Sequence, residues 1–256
     1  DMPTRFVDFM RVLVPMAGDD TTPEGEQVNI YGNHVGSWNF AATAYLNRWK
    51  VKIYYEHYFD DHSQMFFQYG RWKDGHIGLE ITFPKNRFID TFVYEGLGTK
   101  DQTGPMLYDS FWGKFEEQIS AKDNYYNHYL YQGWQHWGMG IGNPLLPGPI
   151  YNKNGQITFI SNRVLAHHIG FCGSPCQSLS YRMLLSYSRH WGTYDNPLNE
   201  IKKQFNSLFE VTYAPQQLTG WSFTVSGAMD RGSILGNNYG GMLVIRKQGI
   251  IKSGNK

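Results

Sequence analysis

Trp221-Ser222-Phe223-Thr224-Val225-Ser226-Gly227-Ala228-Met229-Asp230 decides the fold. Large apolar side chains and a glycine hold the odd positions, and small or polar ones hold the even positions. A period of two means a strand with one greasy face and one polar face. The same pattern lies just upstream. Phe209, Val211 and Tyr213 alternate with Glu210 and Thr212, and a turn at 214–220 joins them to Trp221. Further back, Leu179, Tyr181, Met183, Leu185 and Tyr187 alternate with Ser180, Arg182, Leu184, Ser186 and Ser188. Strands in water-soluble sheets usually run about five or six residues. Alternation over about nine to eleven residues is the length a tilted membrane-crossing strand needs.

Composition agrees with that reading. The chain of 256 residues is 16% aromatic and 18% charged, with a formal net charge of +1. No run of about eighteen apolar residues exists, which excludes a helical span but not a barrel, whose strands are only half apolar. A balance so close to neutral gives no reason to expect nucleic acid. No signal peptide is recognisable at Asp1-Met2-Pro3. The two cysteines, Cys172 and Cys176, flank a predicted turn, and both a disulfide and two free thiols fit their spacing.

In chain order, 4–14 reads as a short helix with Phe6, Phe9, Met10 and Leu13 on one face, ended by Pro15. The expectation is that this face packs on the rest of the protein. Strands are predicted over 36–47, 50–59, 77–83, 91–97, 164–171, 179–189, 209–213, 221–230 and 239–247. A small hairpin is expected around Asn154-Gly155, a type I′ pair. The connections alternate. Those after Asn47, Phe83, Phe171 and Tyr213 are short; those at 60–75, 98–162, 190–204 and 232–238 are longer. Aromatics such as Trp49, Phe83, Phe171, Tyr213 and Trp221 gather at the short-turn end. This is the pattern of an antiparallel transmembrane β-barrel with an aromatic girdle and long extracellular loops. Three regions follow: a helix-and-loop segment at 1–35, barrel strands and loops at 36–248, and a tail at 249–256. Nine strands are an odd number, and two unpaired edges in lipid are costly. The chain is therefore expected to supply part of a larger barrel whose remaining strands precede it.

Four motifs carry a resemblance. They are Gly32-Asn33-His34-Val35-Gly36-Ser37-Trp38-Asn39-Phe40, Thr99-Lys100-Asp101-Gln102-Thr103-Gly104-Pro105, Gly140-Ile141-Gly142-Asn143-Pro144-Leu145 and Asn237-Asn238-Tyr239-Gly240-Gly241-Met242-Leu243. With them, nearly the whole chain resembles, in order, the Bacteroidetes branch of the Wzi-type capsule assembly proteins. The resemblance implies an eighteen-stranded barrel in the bacterial outer membrane that binds capsular polysaccharide at the cell surface. This chain would correspond to its C-terminal half. Implied partners are the polysaccharide, the outer-membrane lipid and the N-terminal half of the barrel.

The candidate sugar-binding residues come from the sequence itself. Tyr125, Tyr126, Tyr129, Trp134, His136 and Trp137 lie within one stretch of the longest connection, with Asn124, Asn127 and Gln135 among them. Sugars need flat apolar faces for their C–H surfaces and amide or imidazole groups for their hydroxyls. The competing expectation is that these aromatics form the loop's own core. Lys52, Glu56, Glu80, Glu95, Arg182, Glu210, Asp230 and Arg246 fall on the polar face. They are expected to pair across a filled interior rather than line an open passage. No Gly-x-Ser-x-Gly, no metal-ligand spacing and no cofactor loop is present. Asp60-Asp61 and Glu116-Glu117 are adjacent, and on a strand such pairs would point to opposite faces. The reading is a non-enzymatic polysaccharide-holding protein without cofactor or metal. A solute or glycan channel is the alternative, and an outer-membrane enzyme comes third.

Overall fold

A computed structural model describes residues 5–14, 16, 18–22, 27, 31–60, 74–86, 88–102, 123–128 and 132–249. Tyr129, Pro15, Asp61, Glu116, Glu117 and Thr103-Gly104-Pro105 lie outside the described residues. A short helix α1, Phe6–Leu13, comes first. Strands β1 Gly36–Leu46, β2 Trp49–Phe59, β3 Gly75–Thr82 and β4 Thr91–Gly98 follow. A two-rung pair, β5 Gln135–His136 and β6 Met139–Gly140, sits in the long connection. Then come β7 Val164–Cys176, β8 Leu179–Gly192, β9 Pro197–Tyr213, β10 Trp221–Gly232 and β11 Asn238–Lys247. All nine expected strands form one antiparallel sheet, in the order β1-β2-β3-β4-β7-β8-β9-β10-β11. Neighbours in space are neighbours in sequence except at β4–β7. The sheet is not closed, and β1 and β11 are its edges.

Register carries the two-face pattern across the whole sheet. Ala42 faces Ile53, Ile53 faces Leu79, Leu79 faces Tyr94, Tyr94 faces Ile169 and Ile169 faces Leu185. At the other end Val211 faces Val225, which faces Leu243. These side chains share one surface. Ile53 is 55% exposed, Val225 61% and Leu243 65%, Leu79, Tyr94, Leu185 and Val211 are half-buried, and none of these band residues is fully buried. Water-soluble monomers rarely leave so long a contiguous apolar surface bare. The opposite surface carries Lys52 facing Glu80, Glu95 facing His168, Arg182 facing Glu210 and Asn206 facing Asp230. Several of these are paired: Arg182 and Glu210 at 3.2 Å, Lys50 and Glu80 at 3.4 Å, and Asn206 donating to Asp230 at 2.7 Å.

Three local expectations are corrected, and the open alternative at the cysteines is decided. Residues 197–204, read as loop, and 205–208, assigned to no element, belong to β9, which runs unbroken for 17 residues. Asn199, Glu200, Lys202 and Lys203 hid the alternation, but β8 pairs with the segment rung by rung as far as His190 opposite Lys202. The connection there shrinks to residues 193–196. The hairpin in the long connection lies at β5–β6, not at Asn154-Gly155. Its two central residues, Trp137 (φ 53°) and Gly138 (φ 80°), both occupy the left-handed region that a two-residue type I′ turn requires. Near Asn154 a side chain closes the loop instead, with the Asn152 amide donating to the carbonyls of Gln156 and Thr158, each at 2.7 Å. Cys172 and Cys176 are free thiols. Both lie on β7, where the ladder with β8 shifts register between Gly173 and Cys176. Finally, α1 does not bury its apolar face. Phe6 is 78% exposed and Leu13 63%, while Asp8 is the buried residue, held by Arg5 at 3.0 Å.

Candidate functional site

Tyr54 on β2 sets the geometry of the polar face at the long-connection end. Opposite it on β3 is Gly78. A Cβ at Gly78 would sit 2.0 Å from the Tyr54 ring, so only glycine lets this ring lie across β3. The phenol thereby reaches past β3 and donates to Glu95 on β4. His76, on the edge of the Tyr54 ring, stands between two carboxylates, Glu95 at 3.5 Å and Glu56 at 3.9 Å. Glu56 also accepts from Ser37 at 2.7 Å and from Tyr58 at 3.3 Å. On β7 and β8, His168 and Ser186 are paired at 2.6 Å. Six strands, β1–β4, β7 and β8, thus supply one floor of carboxylates, imidazoles and hydroxyls.

The long connection folds over this floor as a cap. Leu97, Tyr126, Leu146, Phe159, Val164 and Ala166 form its buried core, with Val35, Tyr58, Trp134 and Leu145 packed around it. Tyr126 stacks on Trp134, with ring centroids 4.9 Å apart and 11° between planes, and meets Phe159 edge-on at 5.2 Å. Asn127 and Phe159 exchange two hydrogen bonds, the amide donating to the Phe159 carbonyl and accepting from its N–H, both at 2.8 Å. The Tyr126 hydroxyl accepts from the Asn143 N–H at 2.8 Å. Asp74, 1% exposed, pins the cap to the strand ends. Its carboxylate accepts from the Asp101 N–H at 2.9 Å, from the Gln102 N–H and from the Tyr125 hydroxyl at 3.1 Å. Burial pushes the Asp74 carboxyl up to about 6, against the downward pull of these donors. Burial likewise drives the Tyr125 phenol well above its ordinary range.

Between floor and cap lies a cavity of about 600 Å³, within the usual size range of small-molecule sites. Glu56, His76, Glu95 and Ser186 line it from the sheet, and Tyr126, Trp134, Leu145 and Leu146 from the cap. No Lys or Arg is among its described lining residues. Hydroxyl-rich molecules with one apolar face match such a space: carboxylates and imidazoles pair with hydroxyls, and aromatic and aliphatic groups cover C–H surface.

The six candidate residues are split by the structure. Tyr125 and Tyr126 are buried in the cap, Trp134 is stacked against it, and all three border the cavity. His136 and Trp137 stand on the outer side of the β5–β6 hairpin, with Trp137 84% exposed. Tyr129 lies outside the described residues. Sequence reasoning named Glu56 and Glu95 only as interior charges and missed His76, Tyr54, Tyr58 and Asp74. His76 was within reach: it shares the parity of Glu80, and the β2–β3 register brings it opposite Glu56. Among the described residues no group of three or more His, Cys, Asp or Glu side chains is placed to hold a metal ion. No helix among them is long and apolar enough to cross a membrane, which says nothing of strands. Comparison with protein families, with curated proteins and with solved structures gives no match.

Proposed function

We propose that this chain contributes nine strands to a β-barrel of the bacterial outer membrane and holds surface or capsular polysaccharide there without chemically altering it. The observation that carries this reading is the pairing of two surfaces on one sheet. An apolar band of exposed and half-exposed side chains runs across the nine strands, and the opposite face is polar and ends in a capped, aromatic-walled cavity. An apolar band of strand length is what hydrocarbon would cover. The two unpaired edges are what further strands, from outside this chain, would pair. A cap over one end is where a chain outside the cell would be met. Two carboxylates without Lys or Arg in the cavity favour neutral or amino sugars over uronic acids.

Interior pairs such as Arg182–Glu210 and Lys50–Glu80 favour a filled interior over a conducting one. The test has two parts. The protein is extracted from membranes and titrated with oligosaccharides released from the cell's own surface glycan, following the fluorescence of Trp134. Saturable binding that Glu56→Gln or Glu95→Gln weakens supports the reading. Recovery of the protein in the soluble fraction, or absence of binding by the membrane form, overturns it. Steady conductance across a planar bilayer would favour the channel reading instead.

A further inference from the structure

Arg189 and Lys203 are directly opposite one another on β8 and β9. Both belong to the surface that carries the apolar band, since Arg189 follows Leu185 and Tyr187 in parity, and Lys203 precedes Phe205 and Ser207. Like charges directly across an antiparallel pair are destabilising, with Cβ atoms about 5 Å apart. On the third strand, β10, Arg231 faces Phe205 on the same surface. Ser233 donates its N–H to the Lys203 carbonyl at 2.9 Å, which sets Arg231 diagonally beside Lys203, about 7–8 Å away. Three adjacent strands therefore present three exposed cations on one surface. None of the three forms an ion pair with a described carboxylate. Arg189 also lies over the Trp191 ring at 5.0 Å, and Lys100 approaches the same ring at 5.3 Å.

Position gives the cluster its meaning. The cations lie near the cap-side ends of β8, β9 and β10: the His190–Lys202 and Gly192–Pro197 pairs lie beyond Arg189–Lys203, and Gly232–Gln204 lies beyond Arg231. Tyr187, Phe205 and Arg231 share one row, directly beneath the Arg189–Lys203 pair, and Ile169, Leu185 and Met229 lie in the row below that. Going from the middle of the sheet toward the cap, this surface passes from an aliphatic level to one where aromatic and cationic side chains are mixed. That is the change of environment from hydrocarbon to the interface and its anionic headgroups. Arginine and lysine at this height, with an amphipathic tryptophan beside them, suit phosphate oxygens.

We infer that Arg189, Lys203 and Arg231 form a binding site for the phosphate groups of a membrane lipid in the leaflet on the cap side. The inference rests on the proposed membrane-embedded reading and adds a specific lipid contact to it. One bound phosphate, or two on one headgroup, relieves the repulsion between Arg189 and Lys203 that no described carboxylate neutralises. The apolar rows beneath receive the acyl chains of the same molecule.

The test compares wild type with Arg189→Gln/Lys203→Gln/Arg231→Gln, both extracted from membranes in mild detergent. Native mass spectrometry reads the lipid that stays bound. Affinity is then measured against lipid A, against the same lipid after phosphatase treatment, and against inorganic phosphate. The expected result is retention of phosphorylated lipid by wild type, with affinity reduced about fivefold per charge removed, on the order of a hundredfold for all three. Dephosphorylated lipid should bind wild type and variant alike. Displacement by inorganic phosphate alone at millimolar concentration would show a free-anion site and overturn the lipid assignment. Equal retention by the variant would overturn the site. A charge-keeping variant, Arg189→Lys/Arg231→Lys, should retain lipid, and heat-modifiable migration reports whether each variant is folded. If the wild type is found in the soluble fraction, the membrane reading itself has failed. If it is membrane-bound and the two forms hold lipid equally, only the phosphate site has failed.

Discussion

Acidity should tighten the cap, and Asp74 sets how much. In the closed cap its carboxyl is buried and titrates near 6, against 3.8 when solvated in the open cap. The folded value is raised, so the closed form binds the extra proton between those limits, and closure strengthens as pH falls through 6 toward 4. A difference of roughly two units corresponds to about 3 kcal/mol. Worked between pH 7 and pH 4, where the open form is itself partly protonated, the cap should open about sixtyfold more often at pH 7 through Asp74. Hydrogen exchange of the Asp101 and Gln102 amides, which donate to this carboxylate, reads the opening directly once intrinsic exchange rates are divided out. Asp74→Asn supplies the control. It keeps one carbonyl acceptor and removes the proton, so the slope between pH 4 and 6 should vanish while other groups keep their contributions. A flat wild-type profile, or an Asp74→Asn profile with the same slope, would refute the argument.

Val225→Arg, on the uncovered apolar surface, should destabilise the membrane form by about 2–4 kcal/mol if the site lies near mid-membrane. Thr224→Asn, its neighbour on the polar face, should cost far less, and equal losses in denaturant titrations would mean the faces are assigned wrongly. Cysteines placed at Asn154 or Asp195 should react with an impermeant reagent on intact cells, whereas those at Arg48, Asn86 or Gln216 should not; strong labelling at Gln216 would invert the topology. Trp134→Ala should disrupt the cap by removing the partner that Tyr126 stacks on, increasing protease cleavage within 123–146. Trp137→Ala should leave cleavage unchanged, because that ring is 84% exposed, and a destabilised Trp137 variant would show that the hairpin packs elsewhere.

Strand number and face were legible because they depend on a local rule. Ile53, Leu79 and Leu185 have a polar neighbour on at least one side, and that alternation survives whatever lies across the sheet. Strand ends depended on partners. The 197–204 segment reads as polar loop by itself, yet β8 offers it a ladder, and backbone pairing outweighs its weak propensity. The β5–β6 hairpin was missed because Trp137 stands at a left-handed position that sequence rules assign to Asn, Asp or Gly. The cavity was legible only as parts. The loop aromatics and the interior glutamates were each visible, but a long connection joins them, and no period in the sequence reports which loop residue meets which strand. Tyr125 and Trp137, twelve residues apart and chemically alike, end up fully buried and almost fully exposed for that reason.

The β4–β7 junction has a consequence for how the sheet comes together in time. Most other neighbours in the sheet are joined by connections of at most eight residues and can zip as hairpins. This pair must first bring together the ends of residues 99–163, which costs about 2 kcal/mol more than closing an eight-residue loop. A chain of this kind assembles as two ribbons, β1–β4 and β7–β11, with their union as the slow step. Leu97, Val35 and Tyr58 come from the first ribbon, Val164 and Ala166 from the second, and Tyr126, Leu146 and Phe159 from the segment between them. The cap is thus a splint that sets only when both ribbons are present. A sugar bound beneath it would hold the two ribbons in register as well as itself.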